Sequence, residues 1–276
     1  MKRLVACLKK CPDSEARDLL EVAGKAALSA GAVLKKHYGR PHTITMKGSI
    51  DLVTEADVAS EQAAKKVITA SAGSQPILAE ESAVTLSAVG PAWIIDPLDG
   101  TTNFAHDIPW FTVSIGFAVD GDCRAGVVYA PMMEEFFCGV RAGGAWLNGA
   151  PIRVSPVATL ATAVLATGFP YYIQERPDDV LAAIRTMVTR TQGVRRAGAA
   201  SLDLAYVACG RFDGFWELNL KPWDTAAGIC LVQEAGGSVS DYGGRQTSPF
   251  VPETLASNKL LHKEMVACLQ PFSTRT

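Results

Sequence analysis

Trp93-Ile94-Ile95-Asp96-Pro97-Leu98-Asp99-Gly100-Thr101-Thr102 decides how this chain is read. A short apolar run bounded by turn residues has the character of a buried strand. Here it delivers Asp96, turns through Pro97 and Leu98, presents Asp99, and then opens a helix at Gly100 and Thr101. The first amides of a helix lack partners within it, and its dipole favours an anion there, so a phosphate group is a natural ligand. Glycine lets the backbone come close to such a ligand. Two acids at a buried strand end would cost roughly several kcal/mol per ion if left unpaired, and a divalent cation removes that cost. The donors at hand are the oxygens of Asp96, Asp99 and Glu80, with the Leu98 carbonyl, and hard oxygen ligands suit magnesium. Zinc would call for His or Cys, which this segment lacks. Taken alone, Asp-Pro-Leu-Asp-Gly also suits a plain turn with a capping Asp.

Working outward, Pro76-Ile77-Leu78-Ala79 is a second short apolar run and ends on Glu80-Glu81. Upstream, Thr54-Glu55-Ala56-Asp57 resembles a capping box, which predicts a helix from Thr54 through Ala63, Ala64, Val67 and Ile68 towards Gly73, with Asp57 in its first turn. Before it, Asp13 or Ser14 can cap a helix whose apolar residues Leu19, Leu20, Ala23, Ala26, Ala27, Ala30, Val33 and Leu34 follow the 3.6 period, with Lys35, Lys36 and His37 in its last turn and Gly39 as its stop. Downstream, residues 112–148 read as successive hairpins and predict an antiparallel sheet.

The rest of the chain alternates, with strands near 163–167, 194 and 214–218 and helices near 179–189, 201–209, from 224, and 260–269. A strand ending in Glu217 leads through Leu220-Lys-Pro-Trp-Asp-Thr-Ala-Ala-Gly228 to Asp224 at the start of a small-residue helix. Alone, Trp223-Asp224 is an aromatic before an N-cap. Beside the first acid cluster, Asp224 can be aimed at the same metals. The fold class is α+β to α/β, with an N-terminal half (1–153) carrying the antiparallel sheet and most metal ligands. The C-terminal half (154–276) carries Asp224 and the substrate-recognition residues, and the two halves pack as one body.

Composition excludes several other classes. The 276 residues are long enough for a well-buried core. A formal net charge of -2, from 26 basic and 28 acidic residues, gives no basic surface for nucleic acid, so neither a nucleic-acid nor a membrane partner is expected. The seven cysteines are scattered without metal-ligand spacing, as expected of reduced thiols. The first ten residues hold too short an apolar run for a signal peptide, and no later stretch is apolar for long enough to span a bilayer. A cytoplasmic location is the expectation.

Asp96-Pro-Leu-Asp-Gly-Thr101 and Trp223-Asp-Thr-Ala-Ala-Gly228 together resemble the two signature motifs of the inositol monophosphatase family, within the lithium-sensitive phosphatase superfamily. The likeness runs from Asp51-Leu-Val-Thr-Glu-Ala-Asp57 through Ala79-Glu-Glu-Ser82 and Val113-Ser-Ile-Gly116 to Glu234-Ala-Gly-Gly237, covering nearly the whole chain. It implies a layered αβαβα sandwich of the inositol monophosphatase and fructose-1,6-bisphosphatase type and two to three magnesium ions. Glu80, Asp96 and the Leu98 carbonyl would hold the first ion, Asp96, Asp99 and Asp224 the second, with Glu80 steering a weaker third. Asp57 and Thr101 resemble the pair that orients and deprotonates the attacking water, whose pKa a metal lowers. Asp99, Gly100, Thr101, Thr102, Gly198, Ala200, Glu217 and Asp224 would surround the substrate. Lys47 would lie on a loop over the site. Inhibition by lithium and a homodimer are further implications.

Glu217 stands seven residues before Asp224, the spacing at which inositol-cleaving members carry an acid that binds ring hydroxyls, and Gly198-Ala-Ala200 resembles the backbone beside it. Both favour inositol 1-phosphate. Histidinol phosphate, fructose 1,6-bisphosphate and a nucleotide bisphosphate stay open as substrates, as does a regulatory binding protein on the same fold. Arg195-Arg196 is read as structural and His106 as near the site without a catalytic role. The pairs Gly143-Gly144 and Gly243-Gly244 are read as tight turns, since neither matches a P-loop or dinucleotide fingerprint.

Overall fold

A short helix α1 (Lys2–Leu8), not anticipated from its mixed charges, opens the chain by burying Leu4, Cys7 and Leu8 on one helical stripe. In α2 (Ser14–His37), the N-cap Asp13 accepts the Ala16 amide at 2.8 Å. The extended pair β1 (Ile44–Met46) and β2 (Leu52–Thr54) follows, and Thr54 then caps α3 (Glu55–Ala72) in the expected box, with Asp57 returning a bond to the Thr54 amide at 2.8 Å. The computed structural model describes residues 1–46, 52–82, 89–170, 173–174 and 177–273. Lys47 lies outside them.

Seven strands make the first sheet: β3 (Ile77–Ala79), β4 (Pro91–Asp99), β5 (Thr112–Val119), β6 (Asp122–Ala130), β7 (Glu135–Val140), β8 (Gly144–Leu147) and β9 (Ala150–Pro151). They lie side by side in chain order, all antiparallel except for the parallel pair β3 and β4. Between β4 and β5 sits the five-residue helix α4 (Thr101–Ala105). Successive strand residues face opposite sides. Trp93, Ile95, Val113, Ile115, Val127 and Phe136 pack with Leu20 and Leu34 of α2 and Ile68 of α3. Ile94, Val128 and Phe137 face the other way, towards helices supplied by the second half of the chain.

That half contains β10 (Val164–Thr167), α5 (Pro177–Val188), β11 (Gly193–Arg195), α6 (Ala200–Ala208), β12 (Gly214–Leu218), α7 (Pro222–Glu234), β13 (Ser238–Ser240), β14 (Glu253–Ser257) and α8 (His262–Leu269). Its sheet has the order β11-β10-β12-β14-β13, with the first three strands parallel and β14 antiparallel to both of its neighbours. Helices α6 and α7 lie between the two sheets, while α5 and α8 cover the outer face, packing Ala183, Met187, Met265 and Leu269 with Leu165, Trp216 and Leu255 of the strands. The layers are therefore αβαβα. The short strands β9, β13 and β14 were not anticipated; each is two to five residues long and gains its extended form from a neighbouring strand.

Close packing positions α7. A β-carbon at Gly126 would stand 2.5 Å from the Ala227 carbonyl oxygen, and one at Gly116 would stand 2.8 Å from the Ala226 β-carbon. Glycines on the sheet and alanines on the helix thus let the two backbones approach, which the small residues of Thr225-Ala-Ala-Gly228 had left unexplained. Gly126→Val should force this layer apart and lower stability by about 1–3 kcal/mol, the usual range for overpacking. The midpoint of urea unfolding measures it; an unchanged midpoint would mean that the helix can retreat freely.

Candidate active site

The end of β4 is irregular in a way that places both of its acids. Asp96 stands opposite Ser114 and Asp99 opposite Thr112, with a register shift between them. Asp96 turns back to accept the Leu98 amide at 3.0 Å. Gly100 then adopts φ of +91°, a left-handed turn, and a β-carbon there would lie 2.9 Å from the Trp110 carbonyl oxygen. Thr101 follows as the first residue of α4.

Hydrogen bonds hold Asp99, Asp57 and Asp224 in place. Asp99 accepts the Ser201 amide at 2.8 Å and the Ser201 hydroxyl at 2.5 Å, which leaves the Thr112 hydroxyl, 2.6 Å from Ser201 Oγ, as the donor in that contact. Asp57 uses one oxygen for the amide and hydroxyl of Thr54, and its other oxygen lies 3.0 Å from the Thr101 hydroxyl. The same Thr101 hydroxyl is 3.0 Å from the Leu98 carbonyl, so its single proton has two acceptors. Asp224 is not itself the N-cap, as the sequence suggested. The helix begins two residues earlier, with Lys221 as N-cap and Pro222 at its first position, which makes Asp224 the third helical residue; its carboxylate accepts the Lys221 amide at 2.7 Å.

These residues share one cavity of about 200 Å³. Its lining includes Glu80, Asp96, Leu98, Asp99, Gly100, Thr101, Thr102, Gly198, Ala200, Glu217 and Asp224. Of the residues expected at the site, Asp57 alone stands behind the lining, joined to it through Thr101. Residues of the wall that were not foreseen as part of the site include Phe169, Arg196, Asn103 and Lys221. Arg196, set aside as structural with Arg195, has its guanidinium carbon 4.9 Å from the Phe169 ring centroid. The alternation of two adjacent arginines at a strand end could have signalled that one of them faces the Gly198 side. Asn103 ties α4 to the Gly198 loop by donating to the carbonyls of Trp110 at 2.8 Å and Ala197 at 2.9 Å. His106 is exposed and does not line the cavity.

Burial and mutual repulsion govern the charges. Burial holds the Asp96 carboxyl well above the usual carboxylate range, reinforced by Glu80, Asp99 and Asp224. Asp224 is raised likewise, by burial and then by Asp99 and Glu80. Asp99 rises to about 6 because its burial outweighs the hydrogen bonds from Ser201 and the α6 amides. Asp57 is raised by burial against the bonds from Thr54 and Thr101. Glu217 reaches about 8, again through burial, with the Arg196 charge pulling the other way and Asp99 adding to the rise. Oxygen-only donors, buried or half-buried and repelling one another, fit a hard divalent cation. Among the described residues, no group of three or more His, Cys, Asp or Glu side chains is gathered so as to hold a metal ion as it stands.

The sequence pattern of the family described as "Inositol monophosphatase family" matches residues 15–275. The chain belongs to the inositol monophosphatase family. Among its relatives is the inositol-1-monophosphatase of Synechocystis sp., 43% identical over 258 residues that make up 93% of this chain and 90% of the relative. The Nus factor SuhB of Pseudomonas aeruginosa is 42% identical over 260 residues, 92% of this chain and 96% of the relative. The crystal structure of the extragenic suppressor protein suhB from Bartonella henselae superposes with a TM-score of 0.86 at 38% identity, covering 91% of this chain and 98% of that one. This family member is a phosphatase, a phosphoric monoester hydrolase. No helix among its described residues is long and apolar enough to cross a membrane.

The Glu217 carboxyl gives a test of the buried electrostatics. Its folded pKa of about 8 lies above the ordinary value of 4.5, so folding takes up a proton between those values. Its contribution to stability is complete below the unfolded value and is lost as pH rises through the folded one. In metal-free buffer, the wild type should therefore lose stability relative to Glu217→Gln as pH rises across that window, measured by urea midpoints at each pH. Parallel pH profiles for the two proteins would show that the carboxyl is not desolvated.

Proposed function

We propose that this phosphatase hydrolyses a small phosphorylated polyol, inositol 1-phosphate above all, with magnesium held by Glu80, Asp96, the Leu98 carbonyl, Asp99 and Asp224. The observation that carries the reading is the meeting, in one cavity, of the β4 and α7 carboxylates with Glu217 from the second sheet. Two to three ions are proposed for this donor set. When bound, magnesium supplies charge stabilisation to the phosphate and its leaving oxygen and lowers the pKa of water.

The chain's own groups divide the remaining work. Gly100, Thr101 and Thr102, at the start of α4, line the cavity, and their amides would donate to phosphate oxygens. Thr101 can accept a proton from the attacking water while passing its own to Asp57, 3.0 Å away. Thr54 fixes Asp57 in position for that transfer, and the raised Asp57 pKa strengthens it as a base. Glu217, with a pKa of about 8, is mostly protonated near neutral pH and can donate to one ring hydroxyl while accepting from another. The backbone of Gly198 and Ala200 completes the wall beside it. Inhibition by lithium, a homodimeric assembly and a cytoplasmic location belong to the same proposal.

The substrate is tested by phosphate release from a panel of inositol 1-phosphate, histidinol phosphate, fructose 1,6-bisphosphate and adenosine 3',5'-bisphosphate, each with and without magnesium. Inositol 1-phosphate should show the highest kcat/KM, and Glu217→Gln should lower that value about tenfold, the worth of roughly one good hydrogen bond. Asp96→Asn or Asp224→Asn should reduce magnesium-dependent turnover by about a thousandfold, on the scale of several kcal/mol of lost charge stabilisation. Full activity in either variant would refute the ligand assignment, and a different best substrate would refute the role of Glu217.

The name Nus factor carried by the Pseudomonas aeruginosa relative supports a second reading, in which the chain also acts as a regulatory protein. The Asp96→Asn variant separates the two roles. Rescue of a strain lacking the chain by this hydrolysis-deficient protein would favour the regulatory one.

A further inference from the structure

We propose that Glu61 is a positioning residue for Glu80, holding the peptide unit that carries this cavity carboxylate in the orientation a bound cation requires. The proposal rests on the reading of Glu80 as a metal ligand. Helix α3 buries Asp57, Ser60, Glu61, Ala64 and Ile68, a stripe with helical spacing. Its first three members are polar, and each grips a different segment of the site. Asp57 reaches Thr101. The Ser60 hydroxyl donates to the Pro97 carbonyl at 2.7 Å, inside the turn between Asp96 and Asp99. One Glu61 carboxylate oxygen accepts the Glu81 amide at 2.8 Å, while the other accepts the Lys65 ammonium at 3.0 Å and the Ser82 hydroxyl.

The Glu81 amide and the Glu80 carbonyl belong to one planar peptide unit. Fixing that N–H therefore fixes the plane leaving the Glu80 α-carbon. On the other side, Ala79 is paired with Ile95 in the sheet, so Glu80 is held between two anchored peptides. Packing alone does not explain an acid at this position. Glu61 is only 5% exposed, and an apolar side chain there would avoid the several kcal/mol that a buried ion costs before it is compensated. The compensation it receives comes from the turn that bears Glu80 and from Lys65. Side chains that orient a metal ligand from behind commonly change metal affinity or activity by about 10- to 100-fold when replaced.

Glu61→Gln retains the volume but leaves one acceptor oxygen for three donors. Magnesium binding to the full-length protein, followed by titration calorimetry, should weaken about tenfold or more. The magnesium concentration for half-maximal turnover should rise by the same factor, while kcat at saturating magnesium stays near that of the wild type. Lys65→Met serves as the control, since it removes the cation and leaves the Glu81 bond. It should lower the urea midpoint without moving magnesium affinity.

Wild-type affinity in a folded Glu61→Gln protein would overturn the proposal, and so would equal losses of affinity in the Gln and Met variants. Should Glu61→Gln fail to fold, Ser82→Ala loosens the same turn from its other end, and unchanged affinity there would overturn the proposal. Absence of magnesium binding in the wild type would fell both this proposal and the ligand reading beneath it. Binding without turnover of inositol 1-phosphate would fell only the substrate reading and leave the role of Glu61 to be decided by affinity.

Discussion

Repulsion among buried acids is the constraint around which this protein is arranged. Asp96 and Asp99 are buried and Asp224 and Glu80 half-buried beside them, and their proximity raises the Asp96 and Asp224 carboxyls beyond what burial alone does. An isolated chain would not gather them, because each prefers water to another carboxylate. They are together because two sheets and the helices between them bury far more apolar surface than the acids cost. Seven strands against α2 and α3, and α6 and α7 against both sheets, supply that surface. The acids sit where the layers end, at the tip of β4 and the first turn of α7.

Local hydrogen bonding then sets the direction of each carboxylate. Asp57 and Asp224 solve the problem in the same way. Each is the third residue of its helix and returns one bond to the amide before that helix. Both therefore serve two purposes: each closes an N-terminus, while Asp224 lines the cavity and Asp57 is joined to it through Thr101. Asp99 is held instead from the facing layer by Ser201, and Asp96 by the amide of its own turn. Such an arrangement is rigid before any ligand arrives, which limits the reorganisation needed during the reaction.

Much of this was legible in the chain. The capping box at Thr54 and Asp57 obeys rules that act over four residues, and the helix began where those residues placed it. The strand that delivers Asp96 and the turn through Gly100 were likewise readable, because hydrophobic runs and left-handed turns are local properties. The start of α7 was misplaced by two residues, since Pro222 suits a first helical position as well as it suits a turn before one. Arg196 was missed for a different reason: the ring it stacks on, Phe169, lies twenty-seven residues away and belongs to another strand's end. Strands β13 and β14 carry little hydrophobic alternation, and their form depends on pairing.

The sequence by itself determined the family and, with it, the layered fold, through the resemblance of its two acid-bearing motifs, while short-range capping, strand and turn rules put each candidate acid at the end of an element. Only the tertiary structure decided that Arg196 and Phe169 join the cavity wall, that Glu217 is desolvated beside Arg196, and that Glu61 grips the turn bearing Glu80. Those facts depend on distances between residues far apart in the chain, and such distances are set by how the layers pack.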